Sequence, residues 1–182
     1  MSGHSKWAQI KRAKGAADSL RSKLFGKLGK SIANESKKAN GDITAPGLRT
    51  AIEKAKKENM PKDTIERAIK KGVTDPESLE KLTYEAYGIS GASIIIEALT
   101  SNRNKAAQEI KHILTKYGGS LGAIGSVTWG FTKTQDGWEP TTEIELENEG
   151  AQTFAKMIEE LEDNDEVQDV YTNASFPDNF SL

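Results

Sequence analysis

Eight basic side chains, Lys6, Lys11, Arg12, Lys14, Arg21, Lys23, Lys27 and Lys30, fall within the first thirty residues, and Asp18 alone opposes them. A cluster of that density suits a polyanion, because phosphate binding releases condensed counterions and asks for charge more than for geometry. His4 and Trp7 stand in the same stretch, and the Trp7 indole offers a face on which a splayed base could stack. The surplus is regional. Residues 1–72 hold 18 Lys and Arg against 7 Asp and Glu, a net charge of +11, whereas residues 73–182 hold 7 against 20, a net of −13, and the whole chain balances at −2. Such segregation points to a polyanion-binding module joined to an acidic one. Within residues 1–72 only Arg12, Arg21, Arg49 and Arg67 are arginine. Lysine is a point charge suited to phosphate, whereas bidentate reading of guanine edges favours arginine, so sequence specificity is expected to be modest or to come from shape or a partner.

Other stretches offer less. Gly118-Gly-Ser-Leu-Gly-Ala-Ile-Gly125 is rich enough in glycine for a phosphate loop, but it follows a helical pattern, precedes a strand and lacks a Gly-Lys-Ser/Thr ending. The acidic run Glu159–Glu166 does not have the spacing of a calcium loop. Asn102 and Arg103 sit where a strand pattern gives way to a helix, a position that faces ligands in many open α/β sheets and equally fits a helix cap beside an exposed arginine. The two histidines, His4 and His112, are far apart, and cysteine is absent, so neither a thiolate zinc site nor a nucleophile–base pair can be assembled from the sequence. The expectation is a non-enzymatic protein with no metal and no cofactor. No apolar run approaches the length of a bilayer span, and the opening residues lack an apolar signal core, which predicts a cytoplasmic protein with no membrane partner.

The elements that must position the basic cluster are helical. Leu20, Leu24, Leu28 and Ile32 recur every four residues, with Phe25 beside them, predicting a helix from about Ala17 to Lys38 that stops at Asn40-Gly41. Pro46 suits the start of a second helix burying Leu48, Ala51, Ile52 and Ala55, and Pro61 the start of a third burying Ile65, Ala68 and Ile69 and ended by Gly72. Val73–Leu79 then reads as a linker. Beyond it, Leu82–Tyr87 and Ser93–Leu99 are predicted strands, Asn102 caps a helix carrying Ile110, Ile113 and Leu114, and Val127–Phe131 and Thr142–Leu146 read as strands joined through Asp136-Gly137. A helix with Phe154, Ile158 and Leu161 and a last strand, Val167–Tyr171, complete the pattern. The predicted fold class is α+β: a basic three-helix domain over residues 1–73, then an acidic ferredoxin-like βαββαβ domain over residues 80–175, with Leu82–Tyr87 as an added edge strand.

Several blocks are family-specific. Ser2-Gly-His-Ser-Lys-Trp-Ala8, Lys23-Leu-Phe-Gly-Lys-Leu28, Ala51-Ile-Glu-Lys-Ala-Lys56, the run from Asn59-Met-Pro to Lys71-Gly72, and Thr83-Tyr-Glu-Ala-Tyr-Gly88 resemble the YebC family. So do Glu97–Asn104, Gly125-Ser-Val-Thr-Trp129 and Val167–Asn173. That family includes bacterial probable transcriptional regulators and the mitochondrial translational activator of cytochrome c oxidase. The resemblance implies a helical N-terminal domain followed by α/β domains, acting in DNA-binding transcriptional regulation or in ribosome-associated assistance to translation. One departure is large: family members carry a further α/β domain between the strands ending near Phe131 and beginning near Thr142, where this chain has only Thr132–Thr141.

The resulting expectation is a nucleic-acid-binding regulator of gene expression, foremost a DNA-binding transcriptional regulator. The alternative is a translation factor that binds ribosomal or transfer RNA. The sequence does not separate double-stranded DNA from RNA or the ribosome, and it does not fix the oligomeric state.

Overall fold

A helix of 22 residues, α1 (Ala17–Lys38), carries the basic side chains that follow the N-terminal segment. The structure, a computed structural model, describes residues 17–180, and the chain from Ala16 divides into two units, Ala16–Leu79 and Glu80–Leu182.

In the first unit α1 packs with α2 (Pro46–Lys57) and α3 (Lys62–Thr74) around Leu28, Ile32, Leu48, Ala55, Met60 and Ile65. The expected stripe of α1 is only half buried: Leu28 and Ile32 are in the core, whereas Leu24 is exposed. A four-residue repeat advances 400° and so drifts about 40° per step around an α-helix, which walks the stripe off the core face, and Phe25 fills in beside Leu28. Asn40 and Gly41 both adopt positive φ, and the Gly41 amide returns to the Ser36 carbonyl at 2.9 Å, closing α1 where the sequence predicted. Gly72 does not end α3, which runs on to Thr74. Its role is close approach. A Cβ at Gly72 would stand 2.2 Å from the Ala33 carbonyl oxygen and 2.8 Å from Ser36 Cβ, so glycine is what lets α3 lie against α1. Ser36 Oγ donates to the Ile69 carbonyl at 2.7 Å in the same contact. Beyond α3, Lys37 Nζ donates to the Asp75 and Glu77 carbonyls at 2.9 and 2.6 Å, tying the segment after the helix back to α1.

The second unit contains, in chain order, β1 (Glu80–Tyr87), β2 (Ser93–Thr100), α4 (Arg103–Lys116), β3 (Ser120–Leu121), β4 (Phe131–Thr134), β5 (Gly137–Pro140), β6 (Ile144–Glu145), α5 (Asn148–Asp163), β7 (Val167–Thr172) and β8 (Ala174–Ser175). The main sheet is antiparallel, with strand order β3-β1-β2-β7. Ile94, Ile96, Ala98 and Val170 share a core with Ile110, Ile113 and Leu114 of α4 and with Phe154, Met157, Ile158 and Leu161 of α5. Alternation along the strands sends Ile95 and Tyr171 to the opposite face, where they pack with Val127, Phe131 and Trp138.

The class is α+β, and two strand placements differ from the sequence reading. Glu80–Tyr87 lies between β2 and β3 instead of at the edge, although β3 pairs only with Ala86 and Tyr87. The middle hairpin turns at Gln135-Asp136, one residue before the expected Asp136-Gly137, because Gly137 is drawn into β5 opposite Thr134; it also starts later, because Thr128–Gly130 form a 3-10 turn, and it pairs Phe131–Thr134 with Gly137–Pro140. Their backbone ladder is separate from the main sheet, to which the Trp138 indole is tied by donating to the Glu97 carboxylate at 3.0 Å. Of Thr142–Leu146 only Ile144 and Glu145 form a strand, parallel to β8. Between α4 and α5 the chain thus carries four short strands, β3 to β6, where two were expected, and ferredoxin-like pairing is realised only between β2 and β7.

Candidate nucleic-acid interface

On α1, with about 100° per residue, Lys23, Lys27 and Lys30 fall within an arc of about 60°, on the side away from Leu28 and Ile32. Lys23 is exposed, and Lys27 and Lys30 are half-buried. Three ammonium groups at i, i+4 and i+7 rise about 1.5 Å per residue along the helix and so make a row roughly 10 Å long, which matches the spacing of a few consecutive phosphates. Arg21 is exposed but off that arc, on the side of α1 that deeper in the helix carries the core residues. His4, Lys6, Trp7, Lys11, Arg12 and Lys14 lie outside the described residues.

The basic residues of the other two helices are differently placed. Arg49 meets Glu53 at 3.2 Å, Lys62 meets Glu66 at 3.7 Å and Arg67 meets Asp63 at 3.6 Å, each one helical turn away on an exposed face. Such pairs contribute little to stability and exchange readily for another anion. Lys54, Lys56 and Lys57 in the last turn of α2, and Lys71 in that of α3, complement the negative ends of the helix dipoles.

Asn102 and Arg103 have structural partners in the second unit. Asn102 Oδ1 accepts the Lys105 amide at 3.0 Å, which caps α4, and the Asn102 amide donates to Thr100 Oγ1 at 2.9 Å. The Arg103 guanidinium pairs with the Glu80 carboxylate, which raises the Arg103 pKa through that hydrogen bond and charge.

The residue that sequence reasoning missed is Glu85. It lies in the middle of β1, 7% exposed, and its carboxylate accepts the amides of Gly125 (2.6 Å), Val127 (2.6 Å) and Thr128 (2.9 Å). Burial alone would raise its pKa, but the amides of Gly125, Thr128 and Val127 and the Thr128 hydroxyl together hold it below the ordinary carboxylate value. Nothing local in Thr83-Tyr-Glu-Ala-Tyr87 signals this, since the partners are some forty residues away. Between α4 and α5 an open groove of about 490 Å³ is lined by Glu109, His112, Glu160 and Asp163 among others. Glu160 there accepts from Lys116 Nζ at 2.7 Å and from the Tyr117 hydroxyl at 2.6 Å, and both bonds lower its pKa. Among the described residues no group of three or more His, Cys, Asp or Glu is arranged to hold a metal ion, and no helix is long and apolar enough to cross a membrane.

Residues 5–75 match the model of the TACO1/YebC protein N-terminal domain, and residues 79–136 and 132–174 match that of the TACO1/YebC second and third domain. The chain belongs to the TACO1/YebC family. Relatives named "Probable transcriptional regulatory protein" include one from Desulfosudis oleivorans, 37% identical and aligned over 98% of both chains, and one from Treponema denticola, 37% identical over 100% of this chain and 99% of the relative. The crystal structure of a conserved hypothetical protein, Aq1575, from Aquifex aeolicus has a TM-score of 0.77 and 29% identity, covering 91% of this chain and 94% of that one. The Desulfosudis alignment runs over 241 positions against 182 residues here, so about 60 positions of that TACO1/YebC protein have no counterpart. The two matched segments of the second-and-third-domain model meet at residues 132–136, which places the gap in the β4–β5 hairpin.

Proposed function

We propose that this TACO1/YebC chain is a non-enzymatic regulator of gene expression that binds nucleic acid through residues 1–73, with double-stranded DNA as its target. The observation that carries this reading is the Lys23, Lys27, Lys30 row on the side of α1 opposite its core stripe, in a region of net charge +11. The same reading assigns His4, Lys6, Trp7, Lys11, Arg12 and Lys14 to the interface, and Arg21 to it from the opposite side of α1 to the lysine row. The printed names of the Desulfosudis and Treponema relatives support transcription as the process. The predominance of lysine over arginine supports a second reading, a ribosomal or transfer RNA surface recognised by shape, because both ligands present phosphate rows to point charges.

Salt dependence tests the contact. If about five phosphates are neutralised, log K against log salt on duplex DNA falls with a slope near −4 to −5, and replacing Lys23, Lys27 and Lys30 together by Ala makes it shallower by about 2 to 3. An unchanged slope removes α1 from the interface. The choice between DNA and RNA is read from lysate gradients at moderate salt. A promoter footprint resistant to competitor DNA supports transcription, and ribonuclease-sensitive co-migration with ribosomal particles replaces it with the translation reading.

A further inference from the structure

The loop between β3 and β4 carries two apolar side chains into solvent: Ile124 is 99% exposed and Trp129 81%. Exposure of that kind in a floppy loop would mean little, but this loop is built. Glu85 anchors its backbone through the Gly125, Val127 and Thr128 amides. Trp129 Nε1 donates to the Ser126 carbonyl at 2.8 Å, and the Tyr87 hydroxyl, from the end of β1, donates to the same oxygen at 2.9 Å. One carbonyl therefore fixes two aromatic rings, both with solvent-facing surface. Gly122 allows the arrangement, since a Cβ there would stand 2.5 Å from Ser126 Oγ and 3.1 Å from Tyr87 Cε2.

We propose that this loop is a stacking platform for an unpaired nucleobase, with the Trp129 ring as its principal face and Tyr87 and Ile124 as flanking apolar contacts. The inference rests on the reading that the chain binds nucleic acid and adds a contact class that the lysine row cannot supply. Charge selects this occupant over a protein surface of mixed charge. In the most acidic part of the chain, the 26 residues between Glu109 and Asp136 contain no Asp or Glu and three lysines, Lys111, Lys133 and Lys116, the last of them paired with Glu160. Glu85 directs its charge to the Gly125, Val127 and Thr128 amides of the loop. A fixed, exposed indole, on a segment that itself carries no carboxylate from Ile110 to Gln135, accepts the π-face of any base, and stacking tolerates all sequences.

The test measures the affinity of the full-length chain for a labelled single strand of about 12 nucleotides and for the matching duplex, with Trp129→Ala and Trp129→Phe alongside wild type. Trp129→Ala is expected to weaken single-strand binding by roughly tenfold with the salt slope unchanged, Trp129→Phe to retain most of the affinity, and duplex binding to be unaffected. Salt-dependent duplex binding together with unchanged single-strand affinity in Trp129→Ala overturns the platform and leaves the lysine reading standing. Equal losses on single strand and duplex overturn it too, because a paired base cannot be the ligand. If the wild-type chain binds neither nucleic acid, the underlying reading falls and the platform falls with it.

Discussion

Replacing Glu85 tests whether one carboxylate holds the whole segment from Gly125 to Thr128. Glu85→Ala leaves three amides without their acceptor. The Val127 amide is at a buried residue, so orphaning it costs about 1–3 kcal/mol, while Gly125 and Thr128 are nearer water and each lose about 1 kcal/mol net. Relief of the carboxylate's desolvation offsets part of this, leaving a loss of about 2–4 kcal/mol, or a thermal midpoint lowered by roughly 10 °C. The isosteric Glu85→Gln, which retains one carbonyl oxygen but presents an N–H₂ to an amide, should lose about half as much. The sign of the pH dependence follows from the depressed pKa. The stabilisation is complete above the unfolded carboxyl pKa and is lost as pH falls through the lower folded value, so wild type and Glu85→Gln should differ most near neutrality and converge only once the pH is below that depressed folded value. Thermal melts across this range, with hydrogen exchange at Gly125, Val127 and Thr128, read both effects. A gap between the two proteins that persists unchanged into acid, or exchange at those amides that the substitutions do not accelerate, would refute the brace.

Two further substitutions probe close contacts. Gly72→Ala drives a methyl into a backbone carbonyl that cannot rotate away, so chemical denaturation followed by helical circular dichroism should show the α1–α3 unit destabilised by about 3 kcal/mol; a neutral result would mean the helices do not pack at this distance. Asn102→Ala removes the cap of α4 and should cost about 1 kcal/mol of stability with nucleic-acid affinity unchanged, whereas a loss of affinity at constant stability would assign the side chain to the ligand.

Where the controlling interaction is local, the sequence states it. Asn40-Gly41, Pro46 and Pro61 bound the helices because left-handed backbone and proline's missing donor are properties of single residues. The Asn102 cap is legible for the same reason, whereas the hairpin turn falls one residue before Asp136-Gly137 because Gly137 pairs with Thr134. Gly72 reads as a terminator in the sequence because its actual constraint, the Ala33 carbonyl, is 39 residues away in the chain. The strand expected over Val127–Phe131 has suitable residues, but Glu85 draws the amides of Val127 and Thr128 inward, and a 3-10 turn follows. Of the candidate site, the Lys23, Lys27, Lys30 row could be read from helical spacing alone. The partners of Arg49, Lys62 and Arg67, also one turn away, are equally legible, whereas the convergence of Tyr87 and Trp129 on one carbonyl is not, since it joins the end of one strand to a loop carbonyl 39 residues later.

The β4–β5 hairpin has a practical consequence as a splice point. Because its strands pair through their backbones with each other and not with the main sheet, lengthening it redirects no strand of the β3-β1-β2-β7 ladder, which is why relatives with some 60 additional positions can share one scaffold with this chain. The tip is not uniformly permissive, however. Gly137 sits against the Tyr171 ring, where a Cβ would come within 2.4 Å of the ring carbons, while Gln135 and Asp136 are exposed. A fluorescent protein or affinity module grafted between Gln135 and Asp136 should therefore be carried as passive cargo, whereas the same graft one residue later would pry the hairpin from the Ile95, Phe131 and Tyr171 cluster beneath it.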